Sequence, residues 1–195
     1  MKYRVPLLVM GLFSISLLSS CNNRNNDFLK TRLKHMETLQ IKVPFSDMVR
    51  MKNQNVVEKE FAYDSAEMKL IVYSDSSECN PCAIKRMYDW NDYIKMSSAL
   101  HGKFVLRFIV TAPEGMLEEI NKAYFFSNVQ SPIYIDTTGV FLKNNPSLPS
   151  ERIFHTFLLD KNDHVILVGN PLSNPNIEEL FMNILEESNR HNSSG

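Results

Sequence analysis

The sequence predicts an α/β fold, a central mixed β-sheet with helices on both faces and a C-terminal β-hairpin. Three observations carry this expectation. Apolar runs typical of buried strands, "KLIVYS", "KFVLRFIV" and "PIYID", alternate with stretches of helical period. A strand, a crossover helix and a second strand in one sheet run parallel. Two later runs, "FHTFLLD" and "HVILVGN", are joined by "KND" alone, which is short enough only for an antiparallel hairpin.

The elements follow in order. "DFLKTRLKHMETLQI" has Leu29, Leu33, Met36 and Leu39 near helical spacing and predicts a short N-terminal helix. Residues 45–60 have no clear period and are left open. After "KLIVYS" and a turn, Ala83, Met87, Trp90 and Ile94 mark the inward side of one helix, with Trp90 a core residue. "PEGMLEEINKAYFFS" opens on Pro113 and Glu114 and turns Leu117, Ile120 and Tyr124 inward. "TTGVFLKNNPSLPSER" reads as irregular. "NPNIEELFMNILEE" carries Ile177, Leu180, Phe181, Ile184 and Leu185 on one helical face.

The N-terminus reads differently. "MKYR" is a basic start, "VPLLVMGLFSISLL" an apolar run, and "LSSC" ends on Cys21, the pattern of a secretory signal. A spanning helix needs about 20 apolar residues, and this run is shorter. "LSSC" resembles the lipobox of bacterial lipoproteins, which implies lipidation of Cys21 and a mature chain anchored by acyl chains in a bacterial envelope, outside the cytoplasm, in the periplasm. The roughly 170 residues beyond suit one domain. Basic and acidic residues nearly balance, 21 against 22, and no basic block is present, which argues against nucleic-acid partners.

With Cys21 lipidated, Cys79 and Cys82 remain, in "SSECNPCAIKRM". A disulfide-stapled fold would use more cysteines at wider spacing, and closing so short a loop removes little chain entropy. A redox pair needs one exposed, partly ionised sulfur and a sheltered partner, and a helix start favours the thiolate. Cys79 is then the nucleophile and Cys82 the resolving thiol. Glu78 and Asp75 would raise the Cys79 pKa, and Lys85 and Arg86 would lower it if they point back. His155 is either a ligand or a strand-edge histidine bonded to backbone. His35, His101, His164 and His191 lie in unrelated polar contexts and are expected at the surface. The methionines are scattered and read as gap-fillers rather than a metal motif.

From Lys69 to Leu185 the chain resembles the thioredoxin superfamily. "YSDSSECNPC" matches strand, loop and CxxC at a helix start, and "SPIYIDTTGVFLKNNPSLP…FHTFLLDKNDHVILVGNP" is similar to the TlpA/ResA-type and peroxiredoxin-like pattern, with its extra strand and helix before the hairpin. Closer still is the likeness to thioredoxin-like lipoproteins common in Bacteroidetes. The family's cis-proline position falls on Phe154 or, in a tighter alignment, His155, and its usual aromatic before the first cysteine is Glu78.

The resemblance implies residues 1–20 as signal peptide, 21–27 as tether, 28–66 as N-terminal helix and lead-in, 67–188 as thioredoxin-like domain, and 189–195 as disordered tail. It implies a thiol–disulfide oxidoreductase with no cofactor beyond the Cys79–Cys82 disulfide. Its partners would be protein thiols or disulfides and an envelope electron donor, and Phe154, His155 and Thr156 would form a substrate-facing loop. Two alternatives stand beside it: copper handling through Cys79, Cys82 and His155, similar to Sco-type proteins, and a non-catalytic thioredoxin-like binding module.

Overall fold

The computed structural model describes residues 27–54, 63, 65–101 and 103–192. The expected signal peptide, Cys21 and residues 193–195 lie outside them. The chain divides into two compact units, one reaching His35 and the other starting at Met36. Helix α1 (27–36) forms as expected, all but its last residue in the first unit, with the Thr31 hydroxyl donating to the Asp27 carbonyl (2.8 Å) and Arg32 over the Phe28 ring.

The second unit is built on six strands, β1 (Val49–Met51), β2 (Met68–Ser74), β3 (Phe104–Thr111), β4 (Ile133–Asp136), β5 (Thr156–Leu159) and β6 (Val165–Val168). Their order is β1-β4-β3-β2-β5-β6. The β2, β3 and β4 strands are parallel, whereas β1 against β4, β5 against β2 and β6 against β5 are antiparallel. This is the mixed sheet that the sequence predicts, with the C-terminal hairpin of β5 and β6 included. Edge strand β1 arises in the segment left open by the sequence. Its three residues are exposed or half-buried, so they carry no apolar run to read.

Alternating side chains divide the sheet into two cores. On one face Leu70, Leu106, Phe108, Ile133 and Leu158 pack under Ile84, Met87, Trp90, Ile94, Ile120, Tyr124, Phe181 and Leu185. These come from α2 (Asn80–Arg86), α3 (Asn91–Ala99), α4 (Leu117–Phe125) and α6 (Pro175–Asn192). The single helix expected after the cysteines is broken by a 3-10 turn at Met87–Trp90. Residues i and i+3 eclipse there, which directs both Met87 and Trp90 at the sheet.

The other face differs from expectation. Ile71, Tyr73, Ile109, Phe157 and Leu159 are covered by Met36, Ile41, Met48, Phe141, Leu148 and Phe154, mostly from irregular chain, with a 3-10 turn at Arg152–Phe154 and one short helix, α5 (Val140–Asn144). The lead-in from Met36 is therefore part of the sheet domain, and the expected boundary at residue 67 is displaced. Its backbone is tied in by Ile41 N–H to the Asp163 carbonyl and Val165 N–H to the Leu39 carbonyl. Asn145 completes the join, donating to the Lys42 carbonyl and accepting from the Lys42 N–H.

Helix α5 has a local cause that the apolar pattern does not reveal. The buried Asp136 carboxylate accepts from the N–H groups of Thr138, Val140 and Phe141, which would otherwise be orphaned at a helix start. Gly139, at φ +70°, provides the left-handed turn into it. At the other end of the chain, α6 starts on Asn174, whose carboxamide accepts from the Asn176 N–H, with Pro175 in the first turn. It continues to Asn192, so the expected disordered tail is helical over 189–192. Neither glycine nor proline interrupts that stretch, and Arg190 faces Glu186 one turn back.

Three charged residues of the strands are buried, Lys69, Arg107 and Asp136. Lys69 is buried on β2 with Nζ 2.8 Å from Asp163 Oδ1 and 4.6 Å from the Tyr63 ring centre. Asp163 sits in the hairpin turn at φ 67°. Asp163→Asn keeps a residue tolerant of that conformation but leaves the ammonium buried without its counter-charge. A loss of about 3 kcal/mol in guanidinium unfolding is expected, reduced in the Lys69→Met/Asp163→Asn double variant.

Candidate functional site

The site is assembled where β2 ends. Residues 75–78 form a tight loop in which Asp75 Oδ1 accepts from the Ser77 N–H and the Asp75 carbonyl from the Glu78 N–H. Cys79 caps α2, its carbonyl accepting from the Ala83 N–H (2.9 Å), and Pro81 occupies the first turn. Cys79 and Cys82 are paired at disulfide distance with a Cα–Cα separation of 5.3 Å. Both are exposed. The expectation of a sheltered Cys82 is thus not met. The residue that turns inward is Asn80, which is buried and aims its amide nitrogen at Met116 Sδ (3.8 Å). Its Oδ1 has no hydrogen-bond partner.

The chain before β5 lies beside this loop. The β2–β5 ladder pairs Val72 with Thr156, and the Tyr73 N–H continues it to the His155 carbonyl at 2.8 Å. No peptide bond among the described residues is cis. A 3-10 turn at Arg152–Phe154 rotates Phe154 into the second core. Phe154, His155 and Thr156 are all buried, which corrects their expected role as a substrate-facing loop. The side chains that this loop exposes are Arg152 and Ile153.

His155 is held by backbone, as one sequence reading had it. Its Nε2 lies 3.1 Å from the Pro149 carbonyl oxygen, an acceptor, so Nε2 carries the proton and donates. The Nδ1 atom faces Asp75 Oδ2 across 3.8 Å and has no hydrogen-bond partner. The ring packs on Tyr73, with centres 5.0 Å apart. Burial pushes the imidazole below its ordinary pKa, opposed by the Pro149 hydrogen bond and by the Asp75 and Glu78 charges. Tyr73 beneath it is pushed up to about 12, chiefly by burial, against a 3.1 Å hydrogen bond with Thr111. Neither side chain is therefore charged at neutral pH.

Among the described residues no group of three or more His, Cys, Asp or Glu side chains is arranged to hold a metal ion. The two cysteines are brought together, but His155 does not join them as a ligand set. His35, His101 and His164 are exposed, and Trp90 is core, as expected. The His191 side chain lies outside the described set.

Of the charges near Cys79 in sequence, Glu78 is engaged by two arginines, only one of which the sequence hints at. Arg86 reaches back from α2 to Glu78 Oε2 (2.8 Å), and Arg152 reaches the same oxygen from the opposite loop (2.9 Å). The Glu78 carboxylate, next to Cys79 in sequence, is thereby paired with two guanidiniums. The helical stretch beginning at Asn80 gave some hint of Arg86, eight residues after Glu78. Arg152 is 74 residues away and leaves no local signal.

No protein-family model and no curated protein matches the chain. Among solved structures it is similar to the thioredoxin domain of a thiol-disulfide oxidoreductase from Bacteroides vulgatus, with a TM-score of 0.42 and 12% identity over 60% of this chain and 81% of that one. A domain of a possible thiol-disulfide isomerase from Cytophaga hutchinsonii gives 0.41 and 18% over 65% and 80%. An uncharacterised thioredoxin-like protein from Porphyromonas gingivalis gives 0.41 and 13% over 63% and 76%. At these identities and scores the likeness does not extend to chemistry.

The buried neutral His155 sets a pH dependence. Its folded-state pKa lies below the unfolded value of about 6.5, so the unfolded chain binds more protons as pH falls through that value. Stability attributable to His155 is full above pH about 6.5 and is lost toward the lower folded pKa. The stability of the parent relative to His155→Gln should fall with acidification below pH about 6.5, by at most about 1.4 kcal/mol per pH unit. Denaturant titrations across pH 5–8 measure it.

Proposed function

We propose that the protein is an envelope-anchored thiol–disulfide oxidoreductase acting on protein substrates through Cys79 and Cys82. The observation that carries this reading is the cysteine pair itself: two exposed sulfurs across the first turn of α2, at a spacing that permits a disulfide. The thioredoxin-like fold supports it, as does the burial of Asn80, which anchors the dipeptide between the cysteines. In this proposal Cys21 carries the lipid and the domain works outside the cytoplasm.

The reduced form begins with a thiolate at Cys79, favoured by unpaired N–H groups at the helix start. That thiolate attacks one sulfur of a substrate disulfide. The substrate S–S bond breaks, a Cys79–substrate disulfide forms, and one substrate thiolate leaves to take up a proton. Cys82 then gives up its proton and attacks Cys79 Sγ. The mixed disulfide breaks, the second substrate thiolate departs, and the enzyme holds the Cys79–Cys82 disulfide. Two electrons have passed to the substrate, and an envelope thiol donor restores the dithiol. The same steps reversed oxidise a substrate dithiol. Exposure of Cys82 lets its proton pass directly to solvent.

Trapping tests the assignment. Cys82→Ser should accumulate mixed disulfides with envelope proteins, released by dithiothreitol and visible on non-reducing gels, whereas Cys79→Ser should not. Trapping by Cys79→Ser instead would reverse the two roles, and trapping by neither would contradict the proposal.

A further inference from the structure

We infer that the rim of the cysteine pair is a docking site for an acidic segment of a protein substrate, with Arg86 and Arg152 as its receptors; this rests on the exchange reading above. Both guanidiniums meet at one atom, Glu78 Oε2, at 2.8 and 2.9 Å. They come from different elements, α2 and the turn before β5, and meet at the residue preceding Cys79. The carboxylate is itself sequestered, its side chain 8% exposed, whereas Arg86 and Arg152 are 55% and 63% exposed.

One buried acceptor oxygen cannot satisfy two five-donor forks. Each guanidinium has a planar edge suited to bidentate pairing with a carboxylate. At Glu78 two cations therefore stand against one carboxylate, while Lys85 and Asp89, both exposed, follow on the same stretch of chain and offset one another. Nearby acids are placed otherwise. Asp75 is engaged with Ser77 and faces His155, Glu151 turns Oε2 into the protein, and Glu114 lies on the α4 side near Met116. Ile153, 57% exposed, supplies an apolar contact next to Arg152. The matching partner is an extended segment with Asp or Glu close to its reactive cysteine. Glu78 holds the two arginines in place so that the incoming carboxylate meets a preset pair.

The test uses the full chain carrying Cys21→Ser, reduced, against three peptide disulfides whose flanking residues are Glu, Gln or Lys. Second-order rates at about 20 mM salt should favour the Glu peptide over the Gln peptide by roughly three- to tenfold, with the Lys peptide slowest. The preference should shrink toward unity near 0.5 M salt, where the Debye length is well under 10 Å. It should also collapse in Arg86→Gln/Arg152→Gln but persist in Lys122→Gln, which changes an exposed cation on α4. Equal rates for the three peptides, a preference for Lys, or a Glu preference that survives the double arginine variant would each overturn the docking site while leaving disulfide exchange standing. Reaction with none of the peptides would overturn both.

Discussion

The antiparallel pairing of β2 with β5 brings the two halves of the site together. β2 is hydrogen-bonded on both sides, to β3 and to β5, and packed on both faces, so its end is a fixed point. The bond from Tyr73 N–H to the His155 carbonyl prolongs that ladder to where residues 75–78 leave the sheet. Segments 80 residues apart in sequence are held side by side. The Asp75–His155 approach and the double ion pair at Glu78 both follow from this register. A slip of one residue would exchange the faces of Phe157 and Leu158 and break both contacts.

The two faces of the sheet do different work. The helical face holds α2 through Ile84 and the 3-10 turn after it through Met87 and Trp90, so the cysteines ride on a helix fixed to the main core. The other face is covered by chain that has to be tied in polar bond by polar bond. Asp136 caps α5, Asn145 pairs with Lys42, and Asp163 holds Lys69. These groups are buried or half-buried and matched to partners. Leaving any of them unmatched costs more than the net worth of the bond it makes.

Much of this was legible in the sequence, for physical reasons that also mark the limit. Buried strands announce themselves as apolar runs, and "KND" is too short for anything but a hairpin. Cys79 at a helix start followed from Pro81 and the apolar spacing after it. What stayed hidden depends on contacts through space or on short elements. β1 has three residues and no buried face of its own. α5 exists because a carboxylate at the end of β4 caps it. Lys69 reads as the polar start of a strand, yet it is buried because Asp163 comes to meet it. The exposure of Cys82 and the inward turn of Asn80 depend on how α2 sits against α4, and periodicity cannot fix that. Phe154, His155 and Thr156 are expected as a presented loop only because the resemblance sets the family's cis-proline position there, and the short 3-10 turn that carries Phe154 inward leaves no periodic signal.

An equilibrium redox titration tests the central claim most directly. The full chain with Cys21→Ser would be poised in glutathione and dithiothreitol couples, alkylated and weighed. The expected result is one two-electron transition between Cys79–Cys82 dithiol and disulfide, with a midpoint within the range bounded by thioredoxin at about −270 mV and DsbA at about −120 mV. Thiols that stay reduced throughout, or a disulfide that none of these couples reduces, would contradict an exchange function for the pair.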